Sequence, residues 1–405
     1  MLDIKQIRAA FPYLQRNYRN DKPLIYFDSA ASAQKPQSVL DHIQKFYIDD
    51  YANIHRGIYE RAAKATQAYE SARAQVAQFI GADTNEIIFT KGATEGINLV
   101  AQSYLKAKLE AGDNILITEM EHHSNLVPWQ MLAKKHNAVC RFIQVDEKGN
   151  LKLEDLDQLL DHKTKMVAVT HLSNTLGTVN DIQTIISKAK QKHIPVLVDA
   201  AQSITQIEID VKKLDVDFLV FSGHKIYGPT GIGILFIKDD LQRDCSPYQF
   251  GGDMIQHVSL QETSFKSGPS KFEAGTPNIL GAVGLAEAIR FIQEIGMPNV
   301  RTHQLALTKE AISIMENIDG IRILGPKVNQ SGIISFLFKE VHPHDIASLF
   351  DSEGIAIRAG HHCTQPLMQK FGLPGTARIS FGIYNNKEEL GSLKLVFDKI
   401  KSIFN

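Results

Sequence analysis

Three neighbouring stretches, PVLVDAA (residues 195–201), DFLVFSG (217–223) and GILFIK (233–238), carry the reading of the fold. Each is a short run of Val, Leu, Ile or Phe, too short for a helix, and two of them end on residues that carry chemistry. The same kind of run recurs toward the N-terminus as EIIFT (86–90), NILITEM (114–120), VCRFIQV (139–145) and MVAVTHL (166–172). Between them lie the amphipathic stretches GINLVAQSYLKAKL (96–109), LVPWQMLAKKH (126–136), LEDLDQLL (153–160) and IQTIISKAKQK (182–192). Apolar runs alternating with helical patterns predict an α/β domain built on a mainly parallel sheet. Ligands of such sheets sit outside the carboxyl ends of the strands. The polar residues just past each run are therefore the candidate site: 90–94, 121–125, 171–174, 199–202 and 222–225.

Beyond this block a looser segment rich in Gly, Ser and Pro runs from about 246 to 278. Two helical patterns follow near 279–295 and 298–317, then the strand-like GIISFLF (332–338), a helix near 344–353, the strand-like IAIRAG (355–360) and ARISFG (377–382), and a terminal helix near 387–403. We read three parts: residues 1–20, an N-terminal helix packing with a small domain; residues 21–280, the large domain; and residues 281–405, a smaller α+β C-terminal domain.

Composition narrows the function classes. The 405 residues carry 44 basic and 45 acidic side chains, a formal net charge of -1, so the bulk charge gives no footprint for nucleic acid or an anionic membrane. The N-terminus lacks the apolar run of a signal peptide and no later run reaches bilayer length, which predicts a soluble, cytoplasmic protein. The three cysteines, Cys140, Cys245 and Cys363, are too far apart for a paired-cysteine zinc site or a disulfide framework. Cys140 lies in a strand-like run and Cys245 in a polar turn, and both read as structural.

Lys225 in SGHKIYGPTGIG (222–233) stands just past a strand, where an amine can form a Schiff base with an aldehyde cofactor. Ser222 and His224 beside it can donate hydrogen bonds to a phosphate. Asp199, at the end of the preceding strand, can hold a pyridine nitrogen protonated and so make the ring an electron sink, and Gln202 can reach a phenolic oxygen. The TKGATEGIN turn (90–98) offers helix-start amides and Thr94 as an anion cradle. In MEHHSN (120–125), His122 or His123 can stack on a ring; adjacent histidines diverge too much to share one metal, so no metal site is expected. Asn174 in THLSNTLGT (170–178) can touch cofactor or substrate. Singly, each residue has an ordinary alternative, such as a helix cap, a turn or a surface position.

In one order over nearly the whole chain stand TKGATEGIN, MEHHSNLVPWQ, THLSNTLGT, VDAAQ, FSGHKIYGPTGIG, FEAGTPN and RAGHHCTQPLM. With these motifs the chain resembles the group II, SufS-type cysteine desulfurases, pyridoxal phosphate (PLP) enzymes of fold type I within the class V aminotransferases. The resemblance implies conversion of L-cysteine to L-alanine, with the sulfur carried as a persulfide on Cys363 and passed to an acceptor protein of SufE or SufU type for iron–sulfur cluster assembly. It also implies a homodimer in which Thr276 of one chain reaches the cofactor phosphate bound by the other. By motif, Lys225 matches the Schiff-base lysine, Asp199 the pyridinium partner, Gln202 the phenolate contact and His122 the ring-stacking histidine. Thr94, Ser222 and His224 match phosphate contacts. Arg378 matches the residue that holds the substrate carboxylate, assisted by Asn174; His55 and Arg56 match a family segment near the site, and His55 and Arg358 are expected among the substrate-binding residues.

Cys363 sits in a Gly- and Pro-bounded segment, where Arg358, His361 and His362 would favour its thiolate if the fold brings them close. Thr364 departs from the alanine that the family pattern leads one to expect. Three other readings remain at this level. A selenocysteine lyase would use the same lysine and cysteine. An aminotransferase or kynureninase would not need Cys363. A scaffold that keeps the cofactor only for stability would perform no chemistry.

Overall fold

The computed structural model describes residues 2–18, 22–327 and 331–404. The boundary read at residues 20 and 21 lies outside the described residues. A short strand, β1 (Ile25–Tyr26), leads into helices Gln37–Asp49 and Glu60–Ile80, which the sequence reading did not single out. The large sheet then forms from β2 (Ile87–Thr90), β3 (Asn114–Thr118), β4 (Val139–Ile143), β5 (Thr164–Thr170), β6 (Val196–Asp199), β7 (Phe218–Ser222) and β8 (Gly233–Ile237). Its order is β2-β8-β7-β6-β5-β3-β4. The five strands from β7 to β4 are parallel, and β8 runs antiparallel to β2 and β7.

The period of two along each strand explains the layers. Val167 and Val169 face one core with Val196, Val198 and Phe221, whereas Met166 and Ala168 face a second core with Leu197, Val220 and Trp129. Both faces are covered, so the central strands are buried along their length, as parallel sheets require. Burial of one Phe or Val side chain contributes ~1.5–3 kcal/mol, which makes these strands a rigid mount for whatever stands at their ends.

The segment read as loose contains an antiparallel hairpin, β9 (Ile255–Val258) and β10 (Thr263–Phe265). Its side chains are mostly exposed, so it lacks the hydrophobic alternation that would have marked it in the sequence. Helix Ile279–Ile295 lies against helices Gln37–Asp49 and Glu60–Ile80 and shares the core of the large sheet through Ile279, Val283 and Leu285. Farther on, β11 (Ile321–Leu324), β12 (Ile333–Phe338), β14 (Arg358–Gly360) and β15 (Thr376–Ser380) form an antiparallel sheet in the order β11-β12-β15-β14, while β13 (Ile355–Ala356) pairs with β1. Helices Pro343–Ser352 and Lys387–Phe404 pack on this smaller sheet around Phe336, Phe350 and Phe397. Helix Ile4–Ala9 reaches the same C-terminal region, where Arg8 pairs with Glu389 at 2.7 Å.

One close contact shapes the edge of the large sheet where β2 meets β8. A β-carbon added to Gly233 would lie 2.4 Å from the Cα of Gly92, so only glycine lets the 90–94 turn approach β8. That approach places the Ala93 amide 2.9 Å from Ser222 Oγ, to which it donates. Gly233→Ala is therefore expected to cost ~1–3 kcal/mol through overpacking. Thermal denaturation measures this, and a midpoint equal to the parent's would contradict the crowding argument.

Candidate functional site

The ends of the parallel strands open on one cavity of about 230 Å³. Asp199 closes β6 and Ser222 closes β7; Lys225 follows in the one-turn helix Gly223–Lys225. His122 comes just after β3, and Thr94 stands in the first turn of helix Ala93–Val100. These five line the cavity together with Gln202, His224 and Asn174. From the smaller domain come Arg358, Arg378 and Cys363, which line the same space.

Burial dominates the electrostatics. Asp199 is 4% exposed and burial raises its carboxyl, an effect opposed by the charge of Lys225 and by the Ala201 amide, which donates to Oδ1 at 2.9 Å. Lys225 keeps some accessible surface because it faces the cavity, yet enclosure by protein pushes its amine down to about 8, against the pull of Asp199. Among the described residues no hydrogen bond or ion pair ends on Lys225, so its amine points at the cavity uncommitted. Burial also drives His122 down to about 3 and His224 to about 4, so both rings are neutral near pH 7. The Ser124 amide donates to His122 Nδ1 at 3.1 Å, which assigns the ring proton to Nε2.

A buried carboxylate supports this wall from behind. Glu121 Oε1 accepts from the Thr118 hydroxyl at the end of β3 and from the Thr170 amide at the end of β5, and Oε2 accepts from Asn125. Trp129 Nε1 donates to Asn125 Oδ1, which turns the asparagine amide toward Glu121. Burial pushes Glu121 up to about 8, while these donors favour its ionised form.

Cys363 sits between β14 and helix Gln365–Lys370, partly accessible, with φ of 58°; His362 before it has φ of 52°. Two non-glycine residues in the left-handed region are strained, and the surroundings hold them there. The His123 amide donates to the Cys363 carbonyl at 2.7 Å, and His123 Nε2 accepts from the Gln365 amide at 3.0 Å. Asn174 Nδ2 donates to the His362 carbonyl at 2.7 Å. Thr364, the residue that departs from the family pattern, is fully buried and shares a 2.8 Å hydroxyl bond with Thr175. His362 corrects one expectation: burial drives it down to about 2, so it brings no positive charge to the thiol. Arg358 remains beside Cys363 as a cation of the cavity wall.

Arg378 is 2% exposed on β15, and Arg358 is its direct cross-strand neighbour on β14. Arg378 donates to the Asn174 carbonyl at 2.8 Å and to Asp28 Oδ1 at 3.0 Å; Arg358 Nε lies 3.4 Å from Asp28 Oδ2. Asp28 was missed in the sequence because a lone Asp after a two-residue strand carries no periodic signal. Ala30 and Ala31, which also line the cavity, were missed because small apolar loop residues carry no chemical signal, and Thr170, the last residue of β5, lies one position before the span read past that strand.

Thr276, His55 and Arg56 are not brought to this cavity within one chain. Thr276 and Arg56 line a separate depression with Asn53, Gly252 and Asp253, and His55 is paired with Glu70 at 3.0 Å and Asp253 at 3.2 Å. The other two cysteines stand apart from the site, and burial raises Cys140 to about 11 and Cys245 to about 12.

A family model described as Aminotransferase class-V matches residues 25–393. A probable cysteine desulfurase of Vibrio cholerae is 47% identical over 394 residues, 97% of both chains. A cysteine desulfurase of Enterobacter sp. strain 638 is 46% identical over 392 residues, 96% of both. Among solved structures, the apo cysteine desulfurase of Thermococcus onnurineus NA1 superposes with a TM-score of 0.94 at 39% identity, over 99% of this chain and 98% of that one. The Escherichia coli cysteine desulfurase CsdA, in its S-sulfonic acid form, superposes with a TM-score of 0.93 at 36% identity, over 100% of this chain and 99% of that one. The architecture is thus the α/β fold type I of PLP enzymes, and the chain belongs to the class-V aminotransferase family.

Proposed function

We propose that the protein is a PLP-dependent cysteine desulfurase that converts L-cysteine to L-alanine and carries the sulfur on Cys363 for iron–sulfur cluster assembly. The observation that carries this reading is the meeting of Lys225, Asp199, Arg378 and Cys363, from two sheets, on one cavity. A PLP aminotransferase needs the first three; only a thiol-based sulfur transfer calls for the fourth.

The residues present fit the cofactor. Lys225 offers an amine with no competing partner among the described residues. The Ser222 hydroxyl, which accepts from the Ala93 amide, still has its own proton to donate, and it lies beside Thr94 at a helix start suited to a phosphate. Buried Asp199 suits a pyridinium nitrogen, Gln202 a phenolic oxygen and the neutral His122 ring a stacked contact. When bound, PLP supplies an aldehyde for the substrate amine and an electron sink for charge at Cα.

Around it, Arg378 with Asn174 receives the substrate carboxylate and fixes Cα and the thiol in the cavity. Lys225 Nζ takes the Cα proton and holds it, a task suited to an amine lowered to about 8. The Cys363 thiolate, beside Arg358, attacks the substrate sulfur; an S–S bond forms, the Cβ–S pair stays with carbon, and alanine leaves after protonation. The persulfide then sits on a partly accessible loop, open to an acceptor of SufE or SufU type.

A homodimer completes this reading. Thr276 lies away from its own cavity, and exposed Tyr47, Ile48, Tyr51, Ile58 and Tyr59 are apolar side chains that a second copy would cover. We further place the cofactor on the large unit and the sulfur-carrying loop on the small unit, with the boundary read at 280/281 moved past helix Ile279–Ile295, which packs in the large core, and with Arg8 of the N-terminal helix paired to Glu389 of the small unit. A cytoplasmic location fits; among the described residues no helix is long and apolar enough to cross a membrane.

Cys363→Ala should keep the bound-cofactor spectrum and lose alanine and sulfide formation from L-cysteine by roughly 1000-fold or more; undiminished turnover would remove Cys363 from the mechanism. Lys225→Ala should yield no cofactor-linked peptide after borohydride reduction, read by mass spectrometry, and a linked peptide would place the attachment elsewhere. An ammonium has no lone pair, so PLP capture by apoprotein should speed up as pH rises through about 8. Stopped-flow absorbance checks this, and a midpoint at the ordinary lysine value would contradict the burial effect.

A further inference from the structure

The two cavity-lining arginines pose a problem of charge. Arg358 and Arg378 stand directly opposite each other on β14 and β15, an arrangement that repels. Asp28 resolves it from the side of the protein, accepting from Arg378 at 3.0 Å through Oδ1 and from Arg358 at 3.4 Å through Oδ2. The chain is held around it: the Phe27 amide donates to the Ala356 carbonyl at 2.9 Å, the Ser380 amide donates to the Phe27 carbonyl at 2.7 Å, and the Asp28 carbonyl accepts from the Ala31 amide at 3.0 Å. Arg378 spends a further donor on the Asn174 carbonyl. Both guanidinium groups reach the cavity; Asp28 stays behind them.

We propose that Asp28 is a specificity-determining positioning residue: by bridging Arg358 and Arg378 it leaves the arginine pair with capacity for one ligand carboxylate and so disfavours dicarboxylate amino acids. Two uncompensated guanidinium groups side by side would suit a substrate with two carboxylates. A fixed protein carboxylate cancels one of those charges, and a second ligand carboxylate entering the cavity would then be desolvated without a free cation. An amino acid whose side chain is a neutral thiol meets no such cost. Selectivity here comes from an unfavourable term against the wrong ligand as much as from contacts with the right one. This rests on the cysteine desulfurase reading and names a residue that sets its substrate class.

The test titrates PLP-loaded enzyme with L-aspartate and with L-alanine, following the cofactor absorbance. In Asp28→Asn the affinity for L-aspartate should rise relative to that for L-alanine by about tenfold or more. Adding Arg358→Gln to Asp28→Asn should return the ratio to the parent value, because the freed cation is then gone. An unchanged ratio in Asp28→Asn, or a raised ratio that survives Arg358→Gln, overturns the proposal. Asp28→Ser removes the same charge with a smaller side chain and must show the same shift. Failure of both Asp28 variants to assemble as holoenzyme would mark Asp28 as structural and overturn the proposal too. The titration reads binding, so it stays separate from the desulfurase reading, which fails instead if the parent makes no alanine from L-cysteine.

Discussion

The geometry of the site depends on the parallel strands ending level with one another, and the Glu121 carboxylate is the tie that keeps two of them so. It accepts from the last residues of β3 and β5 at once, and Thr170 in turn stands opposite Asp199 in register with β6. A slip of one residue anywhere in this row would turn every side chain beyond it to the other face. Asp199, Ser222 and Lys225 would then leave the cavity together. Burial of the strands on both faces makes such a slip costly, and the same burial depresses Lys225 and His122 and raises Asp199.

The smaller sheet contributes the opposite character. Its Arg378 is deeply buried, yet Arg358 and Cys363 keep contact with solvent. The large sheet thus offers a rigid, desolvated wall, and the smaller sheet a strained turn at an open edge. His123, Asn174 and Thr175 join the two, since each holds the Cys363 turn from the large sheet.

How much of this was legible in the sequence follows from the kind of signal each part leaves. The inner strands of the large sheet stood out because two-sided burial demands unbroken apolar runs, and Lys225, Asp199 and Ser222 could be placed because they end or follow those runs. Cys363 and Arg378 were found through motif resemblance, since their neighbours in space come from distant segments. Asp28 was invisible: its partners lie at positions 358 and 378, and nothing local marks an ion pair of that span. The neutral state of His362 was equally hidden, because burial rather than the run of charged neighbours sets it. The hairpin of β9 and β10 was missed since exposed strands need no apolar alternation.

Asn174 has a double attachment. Its carbonyl receives Arg378 and its side-chain amide holds the carbonyl of His362, next to Cys363. One residue thus forms a mechanical joint between the place that would grip a carboxylate and the turn that would take the sulfur. Substitutions around that joint should behave epistatically, because a shift made to accommodate one arm displaces the other. Under the proposed roles, drift in carboxylate recognition would be coupled to drift in sulfur delivery, and neither would be retuned through Asn174 without disturbing the other.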